Sequence, residues 1–543
     1  MGSLGSVAGP NTAHEFPMSS SALCERLHQI VEDITGISLP QNDSDMFEAG
    51  LDSLQASRVQ RAILDQLRNS RAASFGEPQL EKDFCFAYPS VDKMTAALLS
   101  LFRMAREEVV DDEEGRIRGM KEMVGRYREV LGSYASLLPT SENGAGAGAA
   151  SPPPPPPQDS HSSVVLLTGS TGSLGCFLLA RLAKDPGVSK VICLNRACSP
   201  GLSLHQRQTE ALERRGACVS REDWAKVVLL EADLTKVDFE LGEGELGELK
   251  SVTHIIHNAW PVNFNLHLSS FEPHVKGLCH LIRLALLNAG TIRIMFTSSI
   301  AVASRYSLPS SSTFPSSSSS SEIPAVQVPE IPLDATHPAP FGYAQAKWVC
   351  EQLLESVNQL FGSRVRASAV RLGQITGTMD KGAWNEWEHV PLMVRTMQSL
   401  GVVPDFRGTA SWLPVDRASE ILIDLLFSPS FKPIYHLENP IRRPWPHITH
   451  TLASLLSGTA TPLPLLPFQQ WIACVRDSEE VLTSTPIMRF LEEEFGRLGV
   501  GLVGFCMDGT GRDSAAFREL VGGNEEESAR ASVAYWRRVG VMV

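Results

Sequence analysis

One stretch limits the possible folds more than any other: VVLLTGSTGSLGCFLLARL, Val164 to Leu182. Val164 to Leu167 form a four-residue apolar run, the signature of a strand buried in a parallel sheet, and CFLLARL resumes at helical spacing after Gly169, Gly172 and Gly175. Strand, glycine turn and helix in that order form the dinucleotide-binding fingerprint. Gly169 permits the turn, Gly172 lets the backbone approach a pyrophosphate, and Gly175 lets the helix pack close, so the helix N-terminus faces the phosphates. Ser170, Thr171, Ser173 and Leu174 fill the same turn and belong to the same cradle.

The strands and helices that follow extend this start into a doubly wound α/β sheet. Lys190–Ala197, Val227–Leu234, Thr253–Trp260 and Ile292–Val302 read as its second to fifth strands. About 20 residues past the fingerprint, folds selective for NAD place a carboxylate on the ribose hydroxyl. Here the chain offers Asn195 and Arg196, which suits a 2′-phosphate and predicts NADPH. Further on, GYAQAK places Tyr343 and Lys347 one helical turn apart, the spacing for a phenol that gives a proton to a carbonyl oxygen and a lysine that stabilises the phenolate. FTSSIAV ends a strand upstream, with Ser299 placed to bond the same oxygen and Ser298 pointing to the other side of the pleat.

The N-terminal part has a different character. Leu23, Leu27, Ile30, Val31 and Ile34 share one helical face before Gly36. A second helix starts near Asp52, with Leu54, Val59, Ala62 and Ile63 on or near one face, and another follows Pro89 and Ser90 with Met94, Ala97, Leu98 and Leu101. These elements predict a small all-α bundle over residues 20–103, after a disordered 1–19. Residues 104–160 open with a charged, helix-prone segment, with Met120, Met123, Val124, Tyr127 and Val130 on one side for packing on the next domain. They end in GAGAGAASPPPPPP, a tether that spans roughly 25 Å. Residues 161–543 form the third region, with a substrate lobe mainly over 375–543. The Ser- and Pro-rich Ser307–Glu330 reads as a disordered surface excursion within it.

A net charge of −13 over 543 residues, with no basic stripe, argues against a nucleic-acid partner. Ten scattered cysteines without a CxxC pair, no signal-like start and no apolar run of spanning length predict a reduced, cytoplasmic protein off the membrane, and no metal site is assigned.

The string GLDSLQ, Gly50 to Gln55, resembles the attachment site of acyl and peptidyl carrier proteins. The resemblance implies a 4′-phosphopantetheine arm on Ser53, beside Asp52, with Leu54 on the face read by partner enzymes. An ordinary N-cap serine is the bland alternative for the DS pair taken alone. The glycine fingerprint, HNAW, SSI and YxxxK in that order resemble extended short-chain dehydrogenase/reductases. RLGQITG, WNEWEHVPLM, LGVVPDF and SWLPVDRASEILIDLL resemble, more narrowly, the thioester reductase domains of fungal carboxylic acid reductases related to nonribosomal peptide synthetases.

That resemblance implies NADPH-dependent release of a carrier-bound acyl thioester as an aldehyde, or further to an alcohol, in secondary-metabolite biosynthesis. It places the pyrophosphate on Gly169, Gly172 and Gly175, the 2′-phosphate on Arg196, the adenine between Asp233 and Leu234, and the cofactor groove along Asn258 and Ala259. Ser299, Tyr343 and Lys347 would be the catalytic triad. Trp260, Trp384 and His389 are candidates for the substrate border, with buried aromatics and a satisfied core histidine as the other reading. The family usually begins with an adenylation domain, for which residues before Ser20 leave no room. The acyl group is therefore expected from a polyketide synthase, an adenylating enzyme or an acyltransferase in trans, and the arm from a phosphopantetheinyl transferase. Two alternatives are a cyclising release domain that does not reduce, which loss of the tyrosine would favour, and a docking scaffold with an inactive reductase fold.

Overall fold

The computed structural model describes residues 20–36, 41–44, 46, 51, 53–68, 80, 84–88, 90–107, 113–138, 163–197, 203–264, 266–306, 326–478, 490–495, 503–520 and 525–542. Asp52, the Pro-rich tether and most of the Ser-rich excursion lie outside them, as do the side chains of Ser53 and Leu54. The chain divides into two compact units, Met1–Gly115 and Arg116–Val543.

The first unit is helical. Helix α1 (Ser20–Thr35) buries Leu23, Leu27, Ile30 and Val31, an i, i+4, i+7, i+8 stripe that closes against α2 (Ser53–Arg68) and α4 (Val91–Glu107). The short α3 (Phe84–Ala87) packs on α2 and gives Phe84 and Cys85 to the same core, beside Val59, Ile63, Met94 and Leu98. Ser90 caps α4 by accepting from the Lys93 amide at 3.3 Å. The segment before α2 is tied down at both ends: Leu51 N donates to Met46 O at 2.9 Å, and Asp92 N donates to Asn42 O at 2.9 Å. Ser53 is the first residue of α2, so its backbone stands at a helix N-terminus.

The second unit is built on a seven-stranded, all-parallel sheet. Its strands are β1 (Ser163–Thr168), β2 (Val188–Asn195), β3 (Val227–Glu231), β4 (His254–His257), β5 (Ile292–Ser299), β6 (Val365–Leu372) and β7 (Ile434–Leu437), in the order β7-β6-β5-β4-β1-β2-β3. The winding direction reverses between β1 and β4, and a crevice opens beyond their carboxyl ends. Both faces are covered, so successive strand residues enter different cores. Leu166, Ile192 and Ile255 pack on the side of α9 (Glu272–Leu287) and α10 (Gly342–Phe361). Val165, Leu167, Cys193 and Ile256 pack on the side of α6 (Ser173–Lys184) and α12 (Val415–Phe427).

Helix α5 (Glu113–Ser133) buries Met120, Met123, Val124, Tyr127 and Leu131 in the α9–α10 core. Leu131 takes the inward place expected for Val130, which is exposed, because 127 to 131 keeps the i, i+4 step and 130 turns off the stripe. Residues beyond 375 divide between two structures. Helix α12 and strand β7 belong to the sheet, whereas α11 (His389–Leu400), α13 (Trp445–Leu456), α14 (Phe468–Asp477) and the final helix Glu525–Arg538 enclose a separate core around Trp384, Trp445, Trp471 and Trp536. The downstream end of the stretch expected as a disordered excursion, residues 326–330, is instead anchored, because Val326–Val328 pairs with Val503–Phe505 and the Glu330 carboxylate accepts from Gly509 N at 2.7 Å and Lys432 Nζ at 2.7 Å.

Candidate active site

At the end of β1 the chain turns through Gly169 with φ +73°, a conformation that an L side chain rarely adopts. A Cβ there would also stand 2.8 Å from Ala259 N. Gly172 N donates to Gly169 O at 3.1 Å and closes the turn, and Gly172 caps α6. A Cβ on Gly175 would lie 1.9 Å from Gly169 O, so α6 approaches the turn as closely as a bare backbone allows. The side chain of Ser170 is fully buried. Its hydroxyl lies 3.0 Å from Asn195 Oδ1 and 2.7 Å from Gln208 Oε1, and Gln208 Nε2 donates back to Ser170 O at 3.0 Å. It braces the turn from behind. Thr171, Ser173 and Leu174 are partly exposed along the turn and the first residues of α6.

Thr168 joins this turn to β4. Its hydroxyl accepts from Asn258 N at 3.1 Å and Ala259 N at 3.0 Å, which leaves its proton for His257 Nδ1 at 2.9 Å. Asn258 Nδ2 then donates to Gly169 O at 3.3 Å. Fully buried, His257 is held neutral, its pKa pushed down to about 3 by burial first and then by the charges of Lys347 and His274. His257 Nε2 and Trp260 Nε1 are buried and lack a partner among the described residues.

Arg196 is exposed just past β2, and its carbonyl accepts from Arg207 Nη2 at 2.6 Å. Asp233, past β3, accepts from Thr235 N at 2.8 Å, and the Leu234 carbonyl receives His280 Nδ1 at 2.9 Å. The glycine turn, Asn258 and Ala259 are thus in direct contact, while Arg196, Asp233 and Leu234 lie where β2 and β3 leave the same edge of the sheet.

Ser299 ends β5, where its hydroxyl accepts from Ala301 N at 3.2 Å and bonds the Tyr343 phenol. Ser298 faces away: its hydroxyl donates to Glu351 at 2.6 Å, and Glu351 is locked to Arg371, Nη2 to Oε2 2.7 Å, with both side chains essentially inaccessible. Tyr343 and Lys347 are on the first turns of α10. Gly342 there admits the Leu266–Leu268 backbone, since its Cβ would fall 2.3 Å from His267 C. Lys347 Nζ donates to Thr297 O at 2.5 Å and sits 4.2 Å from the Trp260 ring centre and 4.4 Å from that of Phe296. Burial lowers the Lys347 pKa to about 7, opposed by Cys350 and Glu351. Burial raises the Tyr343 phenol to about 12, with the Ser299 hydrogen bond pulling it down and the charge of Glu388 adding to the rise.

Around Tyr343 stand aromatic walls: Phe264 at 5.4 Å edge-on, Phe271 at 6.3 Å and Phe341 at 6.3 Å between ring centres. Phe490 stacks on Phe264 at 4.5 Å, and His389 lies 5.8 Å from Phe264. Trp260 stacks on Phe271 at 5.8 Å, next to Lys347. Trp384, by contrast, is a core residue packed on Trp412 and Trp536, and reaches the site only through Nε1, which donates to Glu388 Oε2 at 2.9 Å. Thr168, Gln208, Phe264, Phe490 and Glu388 escaped the sequence reading. Glu388 sits inside the WNEWEHVPLM string, and Thr168 directly precedes the first fingerprint glycine.

The parallel sheet with a glycine turn at its switch point is that of a nucleotide-binding α/β domain, and Ser299, Tyr343 and Lys347 come together at the end of β5. Residues 25–98 match the phosphopantetheine attachment site family and residues 167–422 the male sterility protein family, so the chain joins a carrier-type segment to an NAD(P)-binding reductase-type domain. The groups these families use are 4′-phosphopantetheine and NAD(P)H. An adenylate-forming reductase of Heterobasidion annosum is 34% identical over 84% of this chain and 38% of its own length, and one of Aspergillus terreus is 31% identical over 97% and 46%. A 3-methylorcinaldehyde synthase of Talaromyces stipitatus is 36% identical over 69% of the chain and 14% of its own length. The chain therefore spans less than half the length of each of these relatives.

In fold the chain is similar to the terminal R domain of the myxalamid PKS-NRPS pathway, with a TM-score of 0.57 and 22% identity over 71% of this chain and 93% of that one. It is likewise similar to an archaeal thiolation-reductase di-domain, with a TM-score of 0.55 and 16% identity over 96% and 98%. No helix among the described residues is long and apolar enough to cross a membrane.

Proposed function

We propose that this protein uses NADPH to release an acyl group, carried as a thioester on phosphopantetheine at Ser53, as an aldehyde. The observation that carries the reading is the convergence of Ser299, Tyr343 and Lys347 at the carboxyl end of β5, next to the Gly169–Gly175 turn. The turn fits a dinucleotide: a side chain at Gly169 or Gly175 would collide with the backbone, and buried polar atoms of His257 and Trp260 lie beside it without partners among the described residues. Gly169, Gly172, Gly175 and the residues between them would hold the pyrophosphate at the start of α6. Arg196 would meet the 2′-phosphate, Asp233 and Leu234 the adenine, and Asn258 and Ala259 the groove wall. When bound, the nicotinamide supplies hydride to the thioester carbonyl carbon.

The chain's own residues do the rest. Ser299 and Tyr343 hold the carbonyl oxygen, and Tyr343 gives its proton as negative charge develops there. Lys347, anchored on Thr297 O, provides the positive charge that eases departure of the phenolic proton. Phe264, Phe271 and Phe341 flank the Tyr343 ring and fix its orientation. An aldehyde product accords with the relative named for making 3-methylorcinaldehyde. In this reading the acyl group is loaded in the cytoplasm by a polyketide synthase, adenylating or acyltransferase activity, after a phosphopantetheinyl transferase has modified Ser53.

The test is reduction of a soluble acyl thioester followed by NADPH oxidation. Tyr343→Phe should lower kcat by about 10²-fold or more, the usual worth of a positioned proton donor, with NADPH affinity retained. Near-normal turnover in that variant would remove Tyr343 from the chemistry.

A further inference from the structure

Converting a thioester to an aldehyde requires a proton for sulfur as well as one for oxygen. Hydride addition to carbon and proton donation from Tyr343 give the hemithioacetal. When this collapses, the C–S bond breaks, the hydroxyl oxygen reforms the carbonyl and returns its proton to the Tyr343 phenolate, and the sulfur leaves with the electron pair. Tyr343, Ser299 and Lys347 all act at the oxygen, so none of them neutralises the sulfur.

Glu388 stands at the N-terminal boundary of α11, and its side chain makes no capping bond there. Its Oε2 accepts from Trp384 Nε1 at 2.9 Å, and Trp384 is fixed by Trp412 at 5.2 Å and Trp536 at 5.8 Å. Asn385 bonds the same carboxyl and in turn receives Arg215 Nη2 at 3.4 Å. The neighbouring residue, His389, has its ring 5.8 Å from Phe264, which stands 5.4 Å edge-on to Tyr343. Glu388 therefore adjoins the residue whose ring joins this wall, and its charge acts on the Tyr343 phenol, whereas Lys347 approaches that ring from α10. Both Glu388 and Tyr343 are partly exposed, so each keeps a solvent-facing side.

We propose that Glu388 is the acid that protonates the departing thiolate, a further catalytic residue of the thioester reduction proposed above, on which this inference rests. The Glu388 proton passes to sulfur as the C–S bond breaks, and the carboxylate is reprotonated from solvent through its open side. Burial raises the Glu388 carboxyl to about 7 against the pull of Trp384, Arg215 and Asn385, with Glu386 adding to the rise. A carboxylic acid is therefore available near neutral pH, and it is more acidic than an alkyl thiol at about 8.5, so the transfer runs downhill.

The test compares Glu388→Gln with wild type, because the amide keeps the side-chain shape and an acceptor for Trp384. One acyl group is offered as an N-acetylcysteamine thioester and as a thiophenyl ester, whose thiolate leaves without help. The variant should lose about 10²-fold in kcat with the alkyl thioester and less than about threefold with the thiophenyl ester. Infrared spectra of the chain alone should show a protonated carboxyl band near neutral pH that Glu388→Gln lacks. Equal losses with both thioesters, no loss with either, or an unchanged carboxyl band would overturn the proposal. Failure of the wild type to reduce either thioester would instead overturn the reading beneath it.

Discussion

Substituting alanine at Gly175 and at Gly172 separates the packing of the glycine turn from its function. At Gly175 the added carbon would lie 1.9 Å from Gly169 O, and real Cβ atoms essentially never come within 3.0 Å of such a neighbour, so turn and helix must part by about 1.1 Å. The obstacle is backbone, and it cannot rotate away. Overpacking of this kind costs about 1–3 kcal/mol, and it lands on the turn that Asn258 Nδ2 and the Gly172 amide hold to Gly169 O. Gly172→Ala meets the same oxygen at 3.3 Å with φ −73°, a fit that needs a shift of only a few tenths of an ångström. Thermal unfolding and NADPH fluorescence titration should therefore diverge. Gly175→Ala should lower both Tm and affinity, whereas Gly172→Ala should keep Tm and weaken NADPH about tenfold or more, because its methyl occupies the approach to the pyrophosphate. Unchanged Tm and affinity in Gly175→Ala, or full affinity in Gly172→Ala, would refute the reasoning.

Three further outcomes are expected. Arg196→Ala should narrow the preference for NADPH over NADH by about one to two decades, the worth of a charge-assisted hydrogen bond of about 1.5–3 kcal/mol, read as the ratio of kcat/KM values. Glu351→Gln leaves the inaccessible Arg371 without its countercharge, and denaturant unfolding should show a loss of about 3–5 kcal/mol, with Ser299 chemistry affected only as far as β5 shifts. Because burial puts Lys347 near 7 and its charged form is the low-pH form, kcat/KM of the free enzyme for a thiophenyl ester should fall as pH rises through about 7. A rate that rose through that range would assign the titration to another group.

Residues that act through the backbone were the most legible in the sequence. The glycine turn announced itself because Gly169 and Gly175 are required by conformation and close approach, and Tyr343 and Lys347 because their spacing is one helical turn. Strand ends were less legible. The sequence pattern predicts these strands as far as Trp260 and Val302, yet β4 stops at His257 and β5 at Ser299. Side chains capture the next amides there: Thr168 Oγ1 takes those of Asn258 and Ala259, and Ser299 Oγ takes that of Ala301, so the chain leaves the ladder where the cleft begins. Glu388 and the Phe264–Phe490 stack were hidden for another reason: they meet Tyr343 only through tertiary packing between segments far apart in the chain.

The most direct measurement is the intact mass of the chain after a phosphopantetheinyl transferase has loaded Ser53 from a synthetic acyl-coenzyme A, taken before and after addition of NADPH. The account predicts that the acyl-carrier mass falls to that of the free phosphopantetheine form, that an aldehyde is trapped as its hydrazone, and that Ser53→Ala never loads. Persistence of the acyl-carrier mass with NADPH present, for every acyl class tried, would contradict it.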